Sequence, residues 1–306
     1  MNRKRFIETA VASAAAGAMN LRAGARAVKA SGYKISLAQW SVRALHNAKP
    51  DAADFLDPLD FAAYARTSCG ISGLEYVNSF YFGKEGDEAY FNELKKRADN
   101  EGARSVLIMC DRCGMVGDPD EEKRKQTVEK HLPWLQAAQQ LGCHSIRVNA
   151  GSKGTFEEQQ KLAADGLVKL AEAAKPYGIN VIVENHGGFS SNGQWLAGVM
   201  KMVNLPTVGT LPDFGNFRLS KKPEVWYDRY QGIEELMPFA KGVSAKSHEF
   251  NAQGNETRTD YFRMMKIVAD AGYKGYIGVE WEGSTPGTTE GILLTKALIE
   301  RAIAAL

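Results

Sequence analysis

The chain has 306 residues, 44% of them hydrophobic and 24% charged, with a formal net charge of +2 at pH 7. Four cysteines are too few to staple a chain of this length, which can bury a core of its own, so a disulfide scaffold is excluded. A near-neutral balance also lacks the basic excess of a phosphate-tracking surface, and no nucleic-acid partner is expected.

Residues 1–30 read as an export signal. Arg3, Lys4 and Arg5 precede Phe6 and Ile7, a small-residue apolar stretch follows, and the segment closes on Val28, Lys29 and Ala30, a small-residue cleavage site. The order resembles a twin-arginine signal, with Lys4 where the second arginine of the pair is usual. A periplasmic mature protein beginning near Ser31 is expected, with 32 basic and 35 acidic side chains and a net charge of −3. No apolar run approaches the roughly 20 residues needed to cross a bilayer, so no stable membrane insertion is expected.

From there the chain repeats one rhythm. Short apolar runs at residues 33–40, 72–77, 104–109, 144–150, 180–185, 208–214, 242–247 and 275–281 predict strands. Between them, residues 121–142, 157–178, 261–273 and 292–306 have helical spacing. Gly142, Gly178 and Gly272 stand where a left-handed residue ends a helix. After the third run, Cys110-Asp111-Arg112-Cys113 has redox-motif spacing, but no second pair completes a zinc site, and a loop is the expectation. Eight strand-helix units without a linker predict a single domain over residues 31–306, an α/β fold of the (β/α)₈ TIM-barrel type. An open doubly wound sheet is the alternative, but "LAQWSVRAL" after the first strand has no glycine fingerprint.

In a barrel the C-terminal strand ends face the active site, so a polar residue closing an apolar strand points into the mouth. The fifth run, "VIVENHGG", closes on Glu184 and His186. The sixth closes on Asp213, the seventh carries Lys246 and His248, and the eighth closes on Glu280. Three carboxylates converging there repel one another unless a cation or a shared proton neutralises them. A divalent metal fits, with Mn²⁺, Mg²⁺, Co²⁺ or Zn²⁺ held by Glu184, Asp213, His248 and Glu280.

Glu, Asp, His and Glu in that order on strands five to eight, within "ENHGG", "LPDFGNF" and "YIGVEWEG", resemble the xylose-isomerase-like TIM-barrel superfamily. The similarity covers residues 33–306 and is greatest to its sugar phosphate isomerase/epimerase branch. It implies a metal-dependent isomerase or epimerase of a keto-sugar or related carbohydrate, in which Glu184 and Glu280 pass a proton through an enediolate. Trp40, Glu75, Asn149, His186, Asn216 and Lys246 are the expected substrate contacts, and Asn185 could also bond sugar hydroxyls. His46, His131 and His144 are expected to be structural.

Two departures from the family pattern matter. Asn216 stands where many relatives have a histidine three residues after the sixth-strand aspartate. Ser244 occupies the usual position of the ligand histidine, which displaces His248 by four residues and leaves His186 as a substitute imidazole. Two other functions therefore stay open: a lyase that eliminates from a 3-keto-glycoside on the same scaffold, and a sugar-binding protein with a decayed site.

Overall fold

Every one of the eight apolar runs becomes a strand of one parallel sheet. The computed structural model describes residues 32–306, and the expected export signal at 1–30 lies outside them. The strands are β1 (Lys34–Ala38), β2 (Gly73–Val77), β3 (Arg104–Met109), β4 (Ser145–Asn149), β5 (Asn180–Glu184) and β6 (Val208–Leu211). An antiparallel hairpin, β7 (Arg218–Lys221) and β8 (Glu224–Trp226), interrupts the series before β9 (Val243–Ser247) and β10 (Tyr276–Trp281) complete it. The order in the sheet is β6-β5-β4-β3-β2-β1-β10-β9. The ring closes where β6 meets β9. There the Phe214 N–H donates to Ser244 O and the Ser244 N–H to Pro212 O, which seats Asp213 beside Ser244.

Both faces of these strands are covered, so their sequences run apolar without alternation. Ala38, Val77, Leu107, Met109, Ile182 and Leu211 fill the barrel interior, with Trp40, Phe80 and Tyr276 packed against them. The larger cluster lies between the strands and the outer helices. Helix starts follow local chemistry. Asp120 accepts from the N–H groups of Glu122 and Lys123 to open Glu121–Leu141, and Thr155 forms a reciprocal capping box with Glu158 to open Phe156–Ala174.

The hairpin was not among the predicted elements. It lies in the connection between β6 and helix Arg229–Leu236, on the barrel face that carries the strand C-termini. All four cysteines are free and buried, and burial pushes Cys113 up to about 11, so the Cys110–Cys113 segment is a loop of inert thiols. Among the described residues no helix is long and apolar enough to cross a membrane.

Candidate active site

Glu184 ends β5, Asp213 follows β6 and Glu280 lies in β10; all three are buried, each with an oxygen within 4.8 Å of the other two. The cluster is fixed from several sides. Asp213 Oδ1 accepts from the N–H groups of Gly215 and Asn216 at 2.9 and 2.8 Å. Asn216 Nδ2 donates to Glu184 Oε1 at 2.9 Å. Ser244 Oγ sits between Asp213 Oδ2 at 2.6 Å and Glu280 Oε2 at 2.8 Å.

Two buried cations stand against these acids. Lys246 Nζ lies 3.0 Å from Glu282 Oε1, 3.3 Å from Glu280 Oε1 and 3.9 Å from Asp213 Oδ2, and it donates to Asn216 Oδ1 at 3.2 Å. Arg147 Nε is 2.9 Å from Glu184 Oε2, and its Nη1 donates to Asp111 Oδ1 at 2.8 Å. Burial alone would lower both cations, but Asp213, Glu280 and Glu282 around Lys246, and Glu184 and Asp111 around Arg147, keep them charged.

Burial pushes Asp213 up to about 8; Lys246 opposes the rise, and Glu184 and Glu280 add to it. Ser244 Oγ lies within hydrogen-bond distance of both Asp213 and Glu280 and has a single hydrogen to donate between them. The acids and the two countercharges are close enough to titrate as a unit.

The carboxylate geometry fits a divalent cation in part. Three oxygen donors converge, from β5, from the segment after β6 and from β10, and Glu184 Oε2 makes no hydrogen bond among the described residues despite its Coulombic contact with Arg147. The imidazole expected to join them is absent from the group. Strand β9 ends at Ser247, and His248 turns into the following loop, where its N–H donates to Glu256. Its ring lines the cavity above, and burial, with Arg258 and Lys246, lowers it to about 4. His186 is exposed and also lines that cavity, outside the carboxylate group.

The remaining sequence-predicted residues divide by depth. Asn216 and Lys246 touch the carboxylates directly, as above. Asn149 is half-buried at the end of β4 and points its Nδ2 at Asp111 Oδ1, 3.4 Å away. Trp40 packs on the barrel interior 6.1 Å from Phe80. Glu75 is enclosed within the barrel, where Ser36 donates to it and burial pushes it up to about 8. Asn185, considered a sugar contact, is spent structurally: it accepts from the Asp213 N–H at 2.7 Å and donates to Asp213 O at 3.0 Å. The three histidines expected to be structural are so placed; His46 bonds Leu56 O and His131 bonds Thr127 O, while His144 precedes β4.

Arg147, Ser244 and Glu282 are parts of the site that were not assigned a role from the sequence. Arg147 had a legible signal, a cation in the middle of "SIRVN", a strand otherwise fit for burial. Above the carboxylates, a cavity of about 500 Å³ is walled partly by Trp226, Arg218, Arg229 and Arg258.

Residues 62–300 match the family model for the xylose isomerase-like TIM barrel. A curated relative, the C-glycoside deglycosidase alpha subunit of Arthrobacter globiformis, is 34% identical over 87 residues, which cover 26% of this chain and 23% of that subunit. Among solved structures, the 3-keto-D-glucoside 4-epimerase from E. coli superposes with a TM-score of 0.66 at 14% identity, over 88% of this chain and 98% of its own. A xylose isomerase-like TIM barrel protein from Mycobacterium smegmatis in complex with magnesium gives 0.65 at 16% identity, over 89% and 97%. At such identities the two structures speak to the fold. The family match runs through most of the strand-helix units and past Glu184, Asp213 and Glu280, and the chain belongs to the xylose isomerase-like TIM barrel family.

Proposed function

We propose that this protein is an enzyme that moves a proton beside the carbonyl of a keto-sugar, as an epimerase or isomerase, with Glu184 and Glu280 as its acid and base. The observation that carries this reading is the convergence of three buried carboxylates at the mouth of the barrel, with two of them on strands β5 and β10 that approach from different sides. A proton beside a carbonyl is too weakly acidic for a carboxylate to remove unless the enediolate charge is offset. Lys246 Nζ and the Arg147 guanidinium place positive charge at this level, away from water, where it acts strongly. Asn216 orients Glu184, and Ser244 orients Glu280.

Glu184, Asp213 and Glu280 would also hold a divalent ion, and an oxygen-only donor set suits Mg²⁺ or Mn²⁺ better than Zn²⁺ or Co²⁺. When bound, such an ion would polarise the substrate carbonyl. Adding Mg²⁺ or Mn²⁺ at about 100 times its dissociation constant should stabilise the fold by about 2.7 kcal/mol. A thermal melt reads this, and Asp213→Asn should lose most of it; a melting point that neither ion moves overturns the metal reading.

Elimination from a 3-keto-glycoside is the second reading, favoured by the deglycosidase match and by a cavity with room for more than one sugar ring. Both begin with the same proton. Product analysis with 3-keto-glucosides separates them: an epimerase conserves mass, whereas a lyase releases the aglycone and leaves an unsaturated keto-sugar. Export remains a proposal carried by residues 1–30. A native amino terminus near Ser31 supports it, and intact Met1 on cytoplasmic protein overturns it.

A further inference from the structure

The carboxylates Glu184, Asp213 and Glu280 lie behind Gly215 and Asn216 rather than in the lining of the cavity, and the walls of the cavity are basic. Lys221, Arg218, Arg229 and Arg258 line the cavity, and its single acidic residue, Glu282, is engaged by Lys246 at 3.0 Å. The cations come from three separate elements: Arg218 and Lys221 from the hairpin, Arg229 from the first position of helix Arg229–Leu236, and Arg258 from the loop after β9. Acids close by in the chain are used elsewhere. Asp228 and Asp260 cap helices, and Glu256 accepts from the N–H groups of Arg258 and Thr259. Glu224 reaches Arg218 only at 4.0 Å, on the exposed side of the hairpin. Among the described residues no carboxylate lies within ion-pair distance of Lys221, Arg229 or Arg258.

Trp226 stands in this wall with 47% of its surface exposed. The guanidinium carbons of Arg218 and Arg229 lie 5.7 and 5.9 Å from its ring centroid. Arg229 is held by Thr259, the neighbour of Arg258, so the aromatic face and the arginines form one contiguous surface. Like charges gathered on a concave wall repel, and an anion that fits between them relieves that repulsion. Guanidinium groups match the planar geometry of a carboxylate and the tetrahedral faces of phosphate or sulfate.

We propose that the substrate carries an anionic group, which Arg218, Arg229 and Arg258 bind, with Lys221 at the rim and Trp226 offering a face for a ring of the same molecule. The proposal rests on the function above only in placing the reacting sugar at the carboxylates. The hairpin is then the specificity element: it sets which conjugates are accepted without touching the carbon that reacts.

Calorimetric binding of three matched probes tests this without requiring turnover: neutral 4-nitrophenyl β-D-glucoside, 4-nitrophenyl β-D-glucuronide with the charge on the sugar, and 4-carboxyphenyl β-D-glucoside with the charge on the aglycone. At least one anionic probe should bind about tenfold more tightly than the neutral one at low salt, with the advantage fading at high salt. The double variant Arg218→Gln/Arg258→Gln should lose that advantage, and Trp226→Ala should weaken all three probes. Which anionic probe gains tells where the charge sits. Equal affinity for the three probes, no detectable binding of either anionic one, or an advantage that survives the double variant overturns the proposal. Glu280→Gln should keep the discrimination. Charge selectivity without any proton transfer to keto-sugars would therefore sink the proposed reaction and leave the anion site standing, and transfer on neutral keto-sugars without charge selectivity would do the reverse.

Discussion

A methyl group added at position 278 would meet Glu75: a Cβ on Gly278 would sit 2.7 Å from Glu75 Oε1 and 2.8 Å from Oε2, so the carboxyl must shift. Glu75 is buried inside the barrel with Ser36 donating to one oxygen, and that shift disturbs the bond. Burial pushes it up to about 8, with Ser36 opposing and Glu280 and Glu184 adding, so near neutral pH it is mostly the uncharged acid. Gly278→Ala should therefore cost about 1–3 kcal/mol through overpacking, read from the urea midpoint. Glu75→Gln, which copies the shape of a protonated acid, should cost less than about 1 kcal/mol. A large loss in Glu75→Gln with none in Gly278→Ala would show that Glu75 is ionised and that its surroundings are slack. At this scale the sequence was informative where chemistry and position coincide. Glu184, Asp213 and Glu280 stood out because each closes an apolar strand, and the structure draws all three together. Ser244 stood out only as a departure from the family pattern, and its bonds to Asp213 and Glu280 could not be read until its neighbours across the ring were known.

Helix Glu121–Leu141 illustrates how an element can bind a pH response into the fold. His131 faces the core there, 2% exposed, with Nδ1 bonded to Thr127 O at 2.7 Å. Burial lowers it to about 4, only partly opposed by that bond. The folded helix keeps the ring neutral, whereas the unfolded chain takes up a proton below about 6.5. The unfolded state thus binds more protons between these values, and stability falls as pH drops from about 6.5 towards 4, by roughly 3 kcal/mol from this residue. His131→Leu should remove that share of the acid loss, so comparing urea midpoints at neutral and acid pH in both proteins checks it; an identical acid loss in the variant would contradict the assignment. The strands were legible as short, continuously apolar runs, and four of the helices by their helical spacing. Hairpin Arg218–Trp226 was not, because most of its residues are exposed, and with little apolar face to bury it has no pattern to read.

For the whole molecule, the barrel followed from eight repeats, but the way it closes did not. The join between β6 and β9 brings Ser244 opposite Asp213, and it ends β9 at Ser247, which turns His248 out of the carboxylate group. A one-dimensional count could align the histidine with its relatives only by letting the strand run on. The same closure puts Lys246 among the acids, so the site combines three carboxylates, an ammonium and a guanidinium in one enclosed volume. The central claim is that this volume moves a proton beside a carbonyl. Incubation of a 3-keto-glucoside panel in D₂O, followed by mass and NMR analysis of carbon-bound deuterium, tests it most directly. Wild-type protein should label the carbon beside the carbonyl, and Glu280→Gln should reduce that rate by about 10²–10⁴ while keeping the fold. No labelling of any keto-sugar by the wild type, or undiminished labelling in both Glu280→Gln and Glu184→Gln, would contradict the account.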